Sequence, residues 1–194
     1  MKENREALRA KILDVAISLF IEKGIEKVTT RELTEYVGIS RSHIYHYFPD
    51  WQTLCIEALS VVMMAELKEF SAEIAPLEPK AKLHTLVCNY LPDTQGDIWQ
   101  LYGSLWQLAA HNEAYAELAR LMVHKWLALL AEIIRAGIDS GVFRPTDAGR
   151  VTRQLSAIMN GYSDQLIVMP SAEARQEAMD DILDFVTLVL VLEK

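Results

Sequence analysis

The sequence predicts an all-α protein, and three observations carry that reading. Apolar residues recur at helical spacing along most of the 194 residues. No alternating Val, Ile and Thr runs flank an Asn-Gly or Asp-Gly turn, so nothing encodes a strand pair. The breaks in the apolar pattern are local, at Gly24, Gly38, Pro49, Pro76 with Pro79, Pro92, Gly141 with Pro145, and Pro170. They divide the chain into about nine helices.

The helices can be justified in order. Leu8, Ile12, Val15, Leu19 and Phe20 form the buried stripe of a first helix that Gly24 ends as a C-terminal cap. Thr29 and Glu32 have the spacing of a capping box, a threonine hydroxyl accepting from the first turn and a glutamate reaching back, and open a helix through Val37. Gly38 and Ile39 make a turn, and Ser40 caps a third short helix predicted to run to about Tyr47. Asp50, after Pro49, caps a fourth helix that extends to Ala75. Further helices are expected over 79–91, 94–111, 113–140 with Asn112 as cap, 147–169 with Thr146, and 172–192 with Ser171.

Composition sets bounds on function. Hydrophobic residues make up 51% and charged residues 24%, which excludes a disordered tail or a fibre. The longest apolar stretch, near Val186, contains Asp184 and falls short of the roughly 20 residues that cross a bilayer. Residues 1–13 alternate acid and base with no apolar run, so a cytoplasmic location is expected, without a secretory signal or a membrane partner. Cys55 and Cys88 lie apart with no CxxC or Cys/His spacing near either, as buried thiols do. The net charge of −8 is unevenly distributed: residues 1–50 carry eight cations against eight acids, and the rest of the chain carries the whole excess. A head with no net charge can approach phosphates, whereas an acidic body repels them.

Two short helices joined by a glycine turn, behind a longer helix that buries their inner faces, form a helix-turn-helix. On the third helix Ile44 and Phe48 face inward with Ile39, while Ser42, His43 and His46 point away and Arg41 sits in the first turn. A major groove admits one helix, and base edges are reached by short polar or basic side chains at its N-terminal end. Arg41, Ser42 and His43 meet that need. Tyr45 and Tyr47 carry hydroxyls far enough to touch flanking phosphates.

The run from Val28 to Leu54, VTTRELTEYVGISRSHIYHYFPDWQTL, resembles the DNA-binding head of the TetR family of bacterial repressors. The likeness covers about residues 5–60 and includes the Ala16, Phe20, Gly24 spacing and an Ile-Tyr-x-Tyr-Phe signature. It implies that Thr30 and Arg31 touch the DNA backbone or a groove edge, that Arg41, Ser42 and His43 read bases, and that Tyr45, His46 and Tyr47 contact phosphate or bases. The family usually starts its fourth helix with a phosphate-holding lysine, where this chain has Trp51. Affinity should then lean on Lys2, Arg5, Arg9 and Arg31. The segment Gly141–Asp147 resembles the linker before the family's dimerisation helices, and the body resembles, more loosely, that of the betaine-pathway regulators.

The expected organisation is therefore a DNA-binding domain over 1–50 and a ligand-binding and dimerisation domain over 51–194. Trp99, Tyr102 and Trp106 recur at i, i+3 and i+7, one aromatic helix face suited to the wall of an inducer pocket. The resemblance sets such a pocket among helices four to eight, where Met63, Met64, Leu67, Cys88, Met122, Trp126, Met159 and Tyr162 are candidates to line it. The stripes Leu155, Ile158, Met159, Tyr162 and Ile182, Phe185, Val186, Val189, Leu192 suit a four-helix homodimer interface.

His84, His111 and His124 share no ligand spacing, and the Asp180, Asp181, Asp184 run lacks a second acidic motif, so neither metal nor cofactor is expected. No Gly-rich phosphate loop and no nucleophile elbow is present, which argues against an enzyme. The resulting expectation is a repressor that binds a roughly palindromic operator as a homodimer. A small-molecule inducer would release it by altering the spacing, about 34 Å, between paired recognition helices. The fourth helix, from Asp50 to Met63, would be the lever.

Overall fold

A computed structural model describes residues 2–92 and 97–191. Among these residues there are nine α-helices and no strand. They are α1 (Lys2–Lys23), α2 (Thr30–Val37), α3 (Arg41–Ile44), α4 (Trp51–Ile74), α5 (Pro79–Tyr90), α6 (Asp97–Ala109), α7 (Glu113–Asp139), α8 (Ala148–Val168) and α9 (Ala172–Leu190), with a 3-10 turn at Ile25–Lys27. The start of the helix expected at 94 and the terminal Leu192 of the expected dimer stripe lie outside the described residues. The chain divides into two compact units, Met1–Glu66 with Asp97–Met122, and Leu67–Gly96 with Val123–Lys194. The unit containing the N-terminal head thus extends beyond residue 50, because α1 packs on α6 as well as on α2.

In the first unit α1 buries Ile12, Leu13, Ala16, Leu19 and Phe20. Gly24 ends it at φ +84°, donating its amide to the Phe20 carbonyl at 2.9 Å. That left-handed conformation is strained for any residue with a Cβ. Thr29 Oγ1 accepts from Glu32 N at 3.2 Å, which is half of the predicted capping box. The other half is absent: the Glu32 carboxylate pairs with Lys23 Nζ at 2.5 Å and ties α2 to the end of α1. The cation is a stronger partner for a carboxylate than a neutral amide.

At Gly38, φ +80°, two amides converge on the Thr34 carbonyl, from Gly38 at 2.9 Å and Ile39 at 3.1 Å. Ser40 Oγ accepts from His43 N at 3.3 Å and starts α3. The helix expected to reach Tyr47 stops at Ile44, and a turn follows in which Tyr47 N and Phe48 N both donate to the Ile44 carbonyl. Pro49 disfavours helical geometry in the residue before it, which limits the continuation. Asp50 Oδ1 then accepts from Thr53 N at 2.7 Å, and this bond holds the Asp50 pKa below its ordinary value. Trp51 is half-buried, its ring edge-on to Phe20 with centroids 6.3 Å apart, so it anchors the start of α4 on α1.

The second unit has its core where α5, α8 and α9 meet, with Leu86, Leu130, Ile134, Leu155, Met159, Ile182 and Val186 among its buried members. Ser171 caps α9 by accepting from Ala174 N at 3.3 Å, as expected. Asp147 rather than Thr146 caps α8, accepting from Arg150 N at 3.0 Å. A carboxylate is favoured there by the positive end of the helix. Two devices fix the connection between α7 and α8. The Phe143 ring abuts Gly137, leaving no space for a Cβ, and Arg144 donates from its backbone amide to Leu190 O and from Nε to Val189 O, both at 2.8 Å. The carbonyls at the end of α9 are thereby satisfied by a distant arginine rather than by water.

Candidate nucleic-acid interface and ligand site

The outer surface of α3 and the turn after it carries Arg41, Ser42, His43, Tyr45 and His46, all exposed, while Ile44 and Phe48 are buried beneath. Tyr47 is half-buried and Tyr45 is 50% exposed. Ser42 Oγ lies 3.0 Å from Ser40 Oγ. The His43 ring sits 5.9 Å from that of His46 and 5.6 Å from that of Tyr47, centroid to centroid.

Two arginines of α1 brace this surface from behind. Arg5 donates to the His46 carbonyl at 3.2 Å and stands 5.8 Å over the Tyr47 ring. Arg9 lies 4.9 Å over the Phe48 ring and is ion-paired with Glu57 of α4. Thr30 is half-buried at the start of α2, and the exposed Arg31 pairs with Glu35 at 2.8 Å. Of the cations on which affinity was expected to rest, Arg5, Arg9 and Arg31 are therefore engaged within the head, and the side chain of Lys2 lies outside the described residues.

The aromatic face of α6 is present in the first unit. Tyr102 is buried, with its ring 6.3 Å from Trp99 and 5.8 Å from Trp106, which is 40% exposed. Sequence reasoning missed the residue that completes this cluster: Tyr102 OH donates to the Glu66 carboxylate at 3.0 Å. Burial raises the Glu66 pKa, and the Tyr102 hydroxyl partly offsets this by favouring the ionised form. The signal was available, since Glu66 follows Met63 by three positions on α4 and so shares its side of the helix.

Met63 itself is fully buried in the same unit. Cys88, Trp126 and Tyr162 belong to the second unit. There Trp126 packs on Phe70 at 5.6 Å, Cys88 Sγ is 3.6 Å from His84 Nδ1, and Tyr162 OH donates to Asp181, which keeps the Tyr162 phenol protonated to higher pH. Among the described residues no three His, Cys, Asp or Glu side chains come together as a metal site, and no helix is long and apolar enough to cross a membrane.

The expected dimer stripe needs correction. Leu155, Met159 and Ile182 are buried in the core of the second unit of the same chain. Each of α8 and α9 carries two neighbouring apolar stripes that the sequence pattern merges into one. The inner stripe meets α5, and the outer leaves Ile158, Phe185 and Val189 half-buried and Leu188 71% exposed.

A short reading helix with polar, basic and aromatic groups outward, carried on an all-helical body, defines a helix-turn-helix DNA-binding regulator. The family model for bacterial regulatory proteins of the tetR family matches residues 12–58, and that for the C-terminal part of BetI-type transcriptional repressors matches residues 79–191. The chain belongs to the TetR family, and it is a ligand-responsive DNA-binding transcriptional repressor.

Among characterised relatives, the HTH-type transcriptional repressor KstR2 of Rhodococcus jostii is 25% identical over 70% of this chain and 68% of its own length. The HTH-type transcriptional regulator AcrR of Shigella flexneri is 24% identical over 98% of this chain and 93% of its own. In fold, the chain is similar to a protein of Saccharomonospora viridis crystallised in complex with choline, with a TM-score of 0.84 and 24% identity over 97% of this chain and 100% of that one. It is also similar to a TetR transcription regulator of Haloarcula marismortui, with a TM-score of 0.80 and 23% identity over 95% and 99%.

Proposed function

We propose that the protein acts in the cytoplasm as a homodimer that sets α3 of each subunit into successive major grooves of a roughly palindromic operator, and that a cationic amphipathic small molecule releases it. It works by binding alone, without catalysis. The observation that carries the DNA half is the exposure of Arg41, Ser42 and His43 over buried Ile44 and Phe48. Inward anchors fix the orientation of the outward groups, and a preformed orientation lowers the entropy lost on docking. Thr30, Arg31, Tyr45, His46 and Tyr47 surround that patch as backbone contacts. The outer stripe of α8 and α9, with Leu188 and Phe185, is the face we assign to the homodimer.

The ligand half rests on Glu66. A partly buried carboxylate hydrogen-bonded to a phenol, beside three aromatic rings, suits a ligand that brings positive charge and apolar surface together. The choline held by the Saccharomonospora viridis protein has that chemistry. Within the first unit we extend the site to Met63, as the sequence suggested. The ligand acts by favouring the subunit spacing that DNA does not, since equal affinity for both states shifts nothing.

Anisotropy titrations on the duplex upstream of the chain's own coding region, and on a scrambled duplex, test the DNA half. Arg41→Ala and His43→Ala should each lose about 1–3 kcal/mol of discrimination, whereas Tyr47→Phe should weaken both duplexes alike. Equal wild-type affinity for the two duplexes would refute it.

A further inference from the structure

We propose that a polar cleft between the end of α1 and α6 is a second ligand site, and that its occupant is a zwitterion of amino-acid size. The cleft lies wholly within the first unit, is open on one side and has a volume of about 340 Å³. That is near the lower end of the range for small-molecule sites, roughly 300–1,000 Å³. It forms where α1 stops at Gly24, φ +84°, and the chain leaves the helix for the 3-10 turn over Ile25–Lys27. Glu22, Glu26 and Lys27 form the wall on that side.

The α6 wall sets the cleft apart from ordinary surface. Gln100, Ser104 and Gln107 recur at i, i+4 and i+7 and line the cleft as one polar stripe, while Leu101 and Leu105 are buried on the side of α6 turned to the core. Because α6 packs on α1, this stripe borders a helix–helix contact, where packing alone calls for apolar or small side chains. Among the described residues, the side chains of Glu22, Glu26, Lys27, Gln100, Ser104 and Gln107 make no hydrogen bond or ion pair within the protein. Lys23, the other cation at the cleft, is held by Glu32 at 2.5 Å. The groups left for a ligand are thus two carboxylates, one ammonium, two carboxamides and a hydroxyl.

That set defines its complement. An ammonium on the ligand answers Glu22 and Glu26, a carboxylate answers Lys27, and the carboxamides and the Ser104 hydroxyl take the remaining polar atoms. A cation alone leaves Lys27 unanswered, and an anion alone faces two carboxylates. Of the described residues lining the cleft, Ile25 alone carries an apolar side chain, and it is buried, so the cleft does not suit the amphipathic ligand assigned to the aromatic face. Tyr102 and Trp106 lie on a different side of α6 from Gln100, Ser104 and Gln107, so this site stands independently of the inducer site. Solvent reaches the cleft and screens its charges, which sets the expected affinity in the millimolar range.

The test uses the full chain labelled with nitrogen-15 and follows backbone and side-chain amide shifts at constant ionic strength. The probes are L-glutamine, L-serine, L-lysine and L-glutamate, each titrated separately, with butylammonium and butyrate as controls that carry one charge each. The variants are Gln100→Ala/Gln107→Ala and Lys27→Ala. Alanine favours a helix at least as well as glutamine, and thermal unfolding without probe checks that each variant folds.

The expected result is a saturable shift of the Glu26 and Lys27 backbone amides and of the Gln100 and Gln107 side-chain amides with at least one amino acid. Both single-charge controls should bind there at least about fivefold more weakly, and each variant should lose at least about fivefold in affinity for that amino acid. No saturable shift with any of the four amino acids, or shifts confined to residues outside the cleft, overturns the proposal. A single-charge control that binds as well as the amino acid overturns the zwitterion assignment. Folded variants that both bind as wild type does would show that the cleft is only surface.

Discussion

Replacing Glu66 by Gln separates the ligand reading from a purely architectural one, because glutamine keeps an acceptor for the Tyr102 hydroxyl and removes only the charge. At an effective dielectric constant near 20, a cation about 5 Å from the carboxylate gains roughly 3 kcal/mol, less where solvent reaches the group. A loss of about 1.5–3 kcal/mol, roughly 10- to 150-fold in choline affinity, is therefore expected. The aromatic rings at Trp99, Tyr102 and Trp106 should leave a weak residual interaction.

Stability should move the other way. Burial raises the Glu66 pKa in the folded chain, so the native state holds its proton more readily than the unfolded one, and the group costs stability as pH rises through that raised value. Glu66→Gln should then melt higher at pH 7 by about 1–4 °C, from roughly 0.5–1 kcal/mol, with the gap closing as pH falls into the carboxylate range. Differential scanning fluorimetry at fixed protein concentration reads the stability, and quenching of tryptophan fluorescence by choline chloride reads the binding. A variant that melts lower while binding choline as wild type does would show that Glu66 is scaffold and that the ligand site lies elsewhere.

Three further outcomes are expected. Gly137→Ala should cost about 1–3 kcal/mol, since the new methyl group would overlap the Phe143 ring, and Phe143→Leu in the same chain should recover part of that loss in thermal unfolding. Phe185→Asp or Leu188→Asp should shift the mass seen by light scattering toward the monomer, whereas an unchanged dimer in both would move the interface off the outer stripe of α9. Burial pushes the Cys55 thiol up to about 12, so at pH 8 a thiol reagent should label the half-buried Cys88 and spare Cys55 until the chain unfolds. Equal labelling rates would contradict that burial.

Where the sequence was read correctly, local physics decides the outcome. Gly24, Gly38, Ser40, Asp50, Asn112 and Ser171 punctuate helices because their own backbone freedom or side-chain oxygen does the capping, and Asn112 Oδ1 does accept from Ala114 N. The errors arise where a distant group competes. Glu32 satisfies the capping-box spacing, yet Lys23 of α1 takes its carboxylate. Leu155, Met159 and Ile182 have the periodicity of an interface, but periodicity records only that a face is buried and cannot say whether the partner is another helix of the same chain or a second copy. Glu66 was hidden for a related reason, because its meaning depends on Tyr102, 36 positions along the chain, reaching back to it.

The pairing of the head's arginines and lysines with its own acids also bears on how the protein finds its site. Sliding and hopping on DNA depend on a sequence-independent hold by free cations, and a genome offers roughly a million to a billion decoy positions. With Arg9, Lys23 and Arg31 paired to Glu57, Glu32 and Glu35, and a body carrying the chain's negative excess, that hold is weakened. A weak hold favours copies free in solution over copies parked on chromosomal DNA, and a search by brief three-dimensional encounters over long one-dimensional scans.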